Sequence, residues 1–101
     1  MPNRTVITGS PGSGKTTYMH ANAKPGDLLW DFDDFAASLG FGRYPRPADI
    51  TRLIMRFRKS LLMSAAFQHR NSWLIITDSA MAAQLAGKIG AKLVNMDEQD
   101  G

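Results

Sequence analysis

The sequence predicts an α/β fold: a parallel sheet covered by helices on both faces, a three-layer αβα sandwich. Three observations predict it. First, β-rich apolar runs and helix-period runs alternate in the order β-α-β-α-α-β-α-β, the pattern that builds parallel sheets with crossover helices. Second, Gly9–Thr16, GSPGSGKT, fits G-x-x-x-x-G-K-[ST] between a strand and a helix. Third, acidic residues stand just after the next two strands. The glycine loop, the pair Asp33 and Asp34, and Asp78 therefore all fall at carboxyl ends, where ligands bind in such sheets. The expected sheet has four strands, mostly parallel, in a single domain over residues 1–101.

Taken in order, Thr5-Val6-Ile7-Thr8 reads as a short strand, and a helix follows from Lys15 to about Ala23. Lys24-Pro25-Gly26-Asp27 breaks it. Asp27-Leu28-Leu29-Trp30-Asp31 is short and apolar, a buried second strand that Asp31 terminates. Asp33 or Asp34 is placed to N-cap a short helix, Phe35 to Leu39. Residues 40–47, rich in Gly and Pro, form a loop. A long helix is expected from about Ala48 to Gln68. Ile50, Leu53, Ile54, Phe57, Leu61 and Ala65 lie on its apolar face, and Arg52, Arg56, Lys59 and Arg70 lie opposite. Trp73-Leu74-Ile75-Ile76-Thr77 is the clearest strand. Ser79 to Lys88 reads as a helix with Gly90 at its stop, and Ala91 to Met96 as a last strand. Residues 97–101 form a polar, fraying end.

The loop carries the chemistry. Gly9, Gly12 and Gly14 lack a Cβ, so the backbone can turn its N–H groups inward as an anion-binding nest, the phosphate-binding P-loop. Ser10, Pro11, Ser13 and Thr17 complete the cradle. Lys15 is placed to reach the β- and γ-phosphates of a nucleoside triphosphate, and the Thr16 hydroxyl to bind Mg²⁺. The following helix adds its positive dipole end. Asp78, closing the run WLIITD, is the expected metal partner, a role compatible with capping the helix at Ser79. Asp33 and Asp34 read equally as a general base toward an attacking hydroxyl or as helix caps. The basic stripe reads first as a solvated face and more sharply as a contact for polynucleotide phosphates. Arg43 and Arg46 are placed to cover a nucleotide. Trp30 and Trp73 sit in strand-like runs and read as core, whereas His20 and His69 lack partners at a ligand spacing.

Composition narrows the classes. With 44% hydrophobic residues among 101, the chain can bury a modest core. No cysteine is present, which excludes disulfides and thiolate metal sites. No apolar run approaches the roughly 20 residues of a membrane span, and Met1-Pro2-Asn3-Arg4 leads straight into a strand without a signal peptide. A net charge of +3 and a pI near 9.6 favour an anionic partner, which a nucleotide alone satisfies.

GSPGSGKTTYMHANAKPGDLLWDFDDF is similar to the N-terminal part of the bacteriophage-type polynucleotide 5′-kinases, and also to small phage P-loop proteins of the AAA-family ATPase or zeta-toxin-like kinase type. The likeness is close over Val6 to Phe35 and looser from Trp73 to Asp97. It implies a P-loop NTPase fold that takes ATP with Mg²⁺ in phosphoryl transfer or slow hydrolysis. It also implies Lys15 as the phosphate lysine, Thr16 as the metal hydroxyl, Asp33 as the general base and Asp78 as the aspartate after the next strand. The kinases carry an arginine one turn beyond the Asp pair, where this sequence has Ala36 and Ala37. They also continue into an arginine-bearing lid, so the expectation is a minimal core without a C-terminal lid. A cytoplasmic location is expected, the host cytoplasm for a phage-encoded chain. Two other readings stand beside this one. One is a nucleotide-binding module that needs a partner's arginine. The other is a nucleic-acid-binding accessory protein using Arg52, Arg56 and Lys59.

Overall fold

The computed structural model describes residues 2–98. Its elements run β1 (Arg4–Thr8), α1 (Lys15–Asn22), β2 (Leu28–Asp31), α2 (Phe32–Ser38), α3 (Ala48–Leu62), α4 (Ala65–His69), β3 (Ser72–Ile75), α5 (Ser79–Ile89) and β4 (Lys92–Asn95). A 3₁₀ turn, Met96–Glu98, follows. The strands form one sheet in the order β2-β3-β1-β4, and every pair is parallel rather than mostly so.

Strand alternation sorts the core into two faces. Val6, Leu74 and Trp30 stand in one register row and face α2, α3, α4 and α5, packing with Ala36, Ile54, Phe67, Ala82 and Ala86. Ile7, Ile75 and Val94 stand in the next row and face α1, where Met19 seals them. The connection from β1 moves across the sheet to β2, whereas those from β2 and β3 move back the other way. Crossovers of one hand must then place α1 opposite the remaining helices. The direction reverses at β1, so the crevice at its carboxyl end is the topological switch point, where open parallel sheets bind ligands.

Three expectations are corrected. The helix placed at Phe35–Leu39 begins at Phe32, because Asp31, not Asp33 or Asp34, is its N-cap. Asp31 keeps extended angles (φ −133°, ψ 113°) and accepts from the Asp33 and Asp34 amides. The long helix to Gln68 is two helices. Ser64 turns extended (φ −82°, ψ 154°) and its hydroxyl accepts from the Phe67 amide, restarting the chain as α4. That break swings Phe67 into the core, only 2% exposed, with the Arg4 guanidinium 4.3 Å from its ring centroid. Arg70 lies beyond α4 and so leaves the stripe on α3. The last strand ends at Asn95, and Asp97, expected in a fraying end, sits in the 3₁₀ turn and is bonded to the glycine loop. Residues 99–101 lie outside the described residues. Trp30 is buried as expected, and half-buried Trp73 donates its indole N–H to Asp27 at 2.9 Å. No helix among the described residues is long and apolar enough to cross a membrane.

Candidate functional site

The glycine loop leaves β1 and enters α1 through Gly14, whose φ of 89° suits only a residue without a Cβ. Gly9 is fixed by space: a Cβ there would meet Ser13 Oγ at 2.6 Å and Met96 Cβ at 3.0 Å. Gly14 has no side chain to cap α1, and no acid stands in the first turn. The first amides of α1 therefore keep their donors, and the dipole its positive charge, for an anion.

These donors border a cavity of 360 Å³, lined by Pro11, Gly12, Gly14, Lys15, Thr16 and Thr17 together with Asp31, Asp33 and Asp34. Gly9, Ser10 and Ser13 are not in its lining; they shape the loop from behind. Lys15 Nζ donates to Gly9 O at 2.8 Å and Ser10 O at 2.9 Å. An ammonium has three donors, so one remains for a ligand. From the other side Asp97 clasps the loop, accepting from Ser10 N at 2.9 Å and Ser10 Oγ at 2.8 Å.

Sequence reasoning missed Asp31. Its Oδ2 accepts the Thr16 hydroxyl at 2.9 Å while Oδ1 caps α2. Asp31 pairs in register with Ile75, whose side chain packs on the α1 face, so strand alternation points its carboxylate toward α1. The signal the sequence held was strand alternation alone, which puts Asp31 on the face opposite Trp30. Thr16 and Asp31 give two adjacent oxygen donors. No cluster of three or more His, Cys, Asp or Glu suited to a metal exists among the described residues. A hydroxyl, a carboxylate and room for phosphate oxygens and water fit Mg²⁺, which takes few protein ligands. Asp78 is not in the lining of this cavity: its Oδ1 accepts from the Met81 amide as the N-cap of α5, and it lines a second cavity that shares Asp33 and Ile75 with the first.

Asp33 lies between the two cavities and lines both. Its Oδ1 accepts from Tyr44 Oη at 2.8 Å and Arg46 Nη1 at 2.8 Å, and Oδ2 has no hydrogen bond among the described residues. The 40–47 loop thus folds back onto the acid instead of covering the first cavity. Arg46 is 3% exposed at its side chain against 52% for Asp33, and it also donates to Phe41 O. Arg43 remains exposed. Partial burial works to raise the Asp33 pKa, but hydrogen bonds from Arg46 and Tyr44 and the nearby positive charges outweigh it, so the group titrates below its usual value. The bond to Asp33 holds the Tyr44 phenol above its usual pKa.

The sign of the pH effect follows. A lowered pKa means the folded state binds fewer protons there, so the stability contributed by the pair is complete above the ordinary value of 3.8 and is lost as pH falls through the lower folded value. The expected result is an Asp33 carboxyl ¹³C titration below 3.8 that moves back toward 3.8 in Arg46→Gln. An unchanged midpoint in that variant contradicts the assignment.

No family model matches this chain, and no curated protein sequence does. Among solved structures, the chain is similar to a chain in "Structure of the Pnkp1/Rnl/Hen1 RNA repair complex", with a TM-score of 0.77 at 17% sequence identity. The match covers 97% of this chain and 34% of that one, so this chain spans about a third of its neighbour's length. At that identity the likeness establishes the α/β fold.

Proposed function

We propose that the chain is a P-loop protein that binds ATP with Mg²⁺ and transfers the γ-phosphoryl group to a hydroxyl acceptor, or slowly to water. One observation carries this reading: Lys15 and Thr16 at the start of α1 and Asp33 in α2, from two separate stretches of the chain, line one cavity at the switch point of a parallel sheet. The loop amides and the free donor of Lys15 hold the phosphates, and Thr16 and Asp31 hold the metal. Bound there, Mg²⁺ would neutralise charge on the phosphate oxygens. Asp33 Oδ2, ionised at neutral pH and unoccupied by a donor, orients the acceptor hydroxyl and takes its proton. The acceptor oxygen bonds to the γ-phosphorus as the bond from phosphorus to the oxygen shared with the β-phosphate breaks, leaving ADP. A loose phosphoryl-transfer transition state asks for positioning more than strong basicity, which suits a carboxylate of lowered pKa.

The fold shared with a chain from an RNA repair complex supports a nucleic-acid-related acceptor. So does the groove lined by Arg56, Arg58, Lys59 and Lys88 beside α3 and α5; Arg52 lies outside it, exposed. A second reading has its own support. Lys15 is the one cation in the lining of the first cavity among the described residues, and Arg46 is tied to Asp33. A partner or a second copy would then supply the arginine for turnover.

The test is incubation with γ-labelled ATP and a panel of DNA ends, RNA ends, nucleosides and water. Label on a hydroxyl acceptor is expected. Turnover only with a partner present selects the second reading, and no ATP binding at all refutes both.

A further inference from the structure

The groove between α3 and α5 has a volume of 640 Å³, and a hollow of 490 Å³ continues it along α5. Arg58, Leu85 and Lys88 border both, so the two form one channel. On each helix the lining falls at i, i+3, i+4, i+7 and i+8, from Met55 to Met63 on α3 and from Met81 to Ile89 on α5. Two turns of each helix therefore give the channel a continuous stripe about 12 Å long.

Floor and rim differ in chemistry. Met55, Leu62, Leu85 and Ile89 are half-buried, and the last three pack on the core beneath, which fixes the floor. Met63 stands 74% exposed at one end, more apolar surface in water than a folded chain needs to leave there. Around them Arg56, Lys59 and Lys88 are exposed and Arg58 is half-buried. No acidic residue lines either hollow, and none of these four cations has a carboxylate within 4.0 Å among the described residues. The occupant must therefore carry negative charge and apolar side chains together.

Positive charge alone would suit polynucleotide phosphates as well, so the floor decides. Single strands are held by stacking bases on aromatic rings, and no aromatic residue lines the channel. A duplex held by its phosphates would leave the leucines and methionines unfilled. A second copy docked about a two-fold axis would set these cations against their own kind. Flexible thioethers beside leucine and isoleucine suit the aliphatic stripe of a helix laid in a groove. We propose that this channel docks an acidic amphipathic helix of a partner protein, its apolar stripe on the floor and its carboxylates over Arg56, Arg58, Lys59 and Lys88. No residue lines both this channel and the first cavity, so the docked helix leaves the phosphate loop open.

The experiment is fluorescence anisotropy of the full chain with a labelled synthetic peptide of about 15 residues, leucines at i, i+3, i+4 and i+7 and glutamate and alanine elsewhere, in about 0.15 M salt. Three comparison probes are a peptide of the same composition with its leucines scattered, one with lysine in place of glutamate, and a single-stranded oligothymidine. The patterned acidic peptide is expected to bind about tenfold or more tightly than each of them. Amide NMR shifts should fall on residues 55–63 and 81–89. Arg56→Glu with Lys59→Glu should weaken the peptide about tenfold and steepen no salt dependence, since the charges that attract it are gone. Met63→Gln should weaken it several-fold while leaving the salt dependence as it was. All three positions are exposed, and circular dichroism confirms that the variants fold. Equal binding of the scattered peptide reduces the channel to a charged surface and overturns the proposal. Tighter binding of oligothymidine with the same shifts makes it a polynucleotide path and overturns it too. Absence of peptide binding, or binding that neither folded variant weakens, also contradicts it.

Discussion

Lys15→Ala is expected to weaken ATP binding by about a hundredfold or more, the loss of a charge-assisted contact worth about 3 kcal/mol. The size follows from what surrounds the ammonium. It already bonds Gly9 O and Ser10 O, so it is held at the loop at no further ordering cost when a ligand arrives. It is also the one cation among the described residues lining the first cavity, so no neighbour compensates for its removal. Titration calorimetry with ATP and Mg²⁺ reads the effect directly. Undiminished affinity refutes the assignment of the loop.

The second large effect belongs to Asp33→Asn. Asparagine can still accept from Tyr44 through its carbonyl oxygen, but it cannot take a proton from a hydroxyl. Transfer of label from ATP to an acceptor is expected to fall about 10²–10⁴-fold. Affinity for ATP should be largely retained, because the phosphate donors come from the loop and Lys15 rather than from Asp33. The variant also leaves Arg46, nearly buried, facing a neutral partner, so its folding is checked by the same ATP titration. Transfer at an unchanged rate removes Asp33 from the chemistry and leaves it as the anchor of the 40–47 loop.

Much of the architecture was legible in the sequence because it rests on local signals. The alternation of runs yielded the parallel sheet, and Gly9–Thr16 yielded the loop between β1 and α1. The carboxyl-end rule gathered Asp33 beside Lys15. What escaped depends on one backbone angle or on distant partners. Asp31, Asp33 and Asp34 crowd within four positions, and only the extended backbone of Asp31 decides that it is the cap and the partner of Thr16. Ser64 fits a helix pattern on its neighbours' periodicity, yet its hydroxyl competes for the backbone and divides the helix. The clasp of Asp97 on Ser10 spans 87 positions, beyond any pattern in a window of residues. Arg46 was read as a cover for the nucleotide because it sits in a Gly- and Pro-rich loop; the acid at Asp33 captures it.

The most direct measurement is a backbone amide NMR titration of the full chain with ATP and Mg²⁺. The largest shifts are expected on residues 12 and 14–17, which border the first cavity, with a second set at Asp31 and Asp33. Shifts confined to α3 and α5, or none at millimolar ATP, would contradict it.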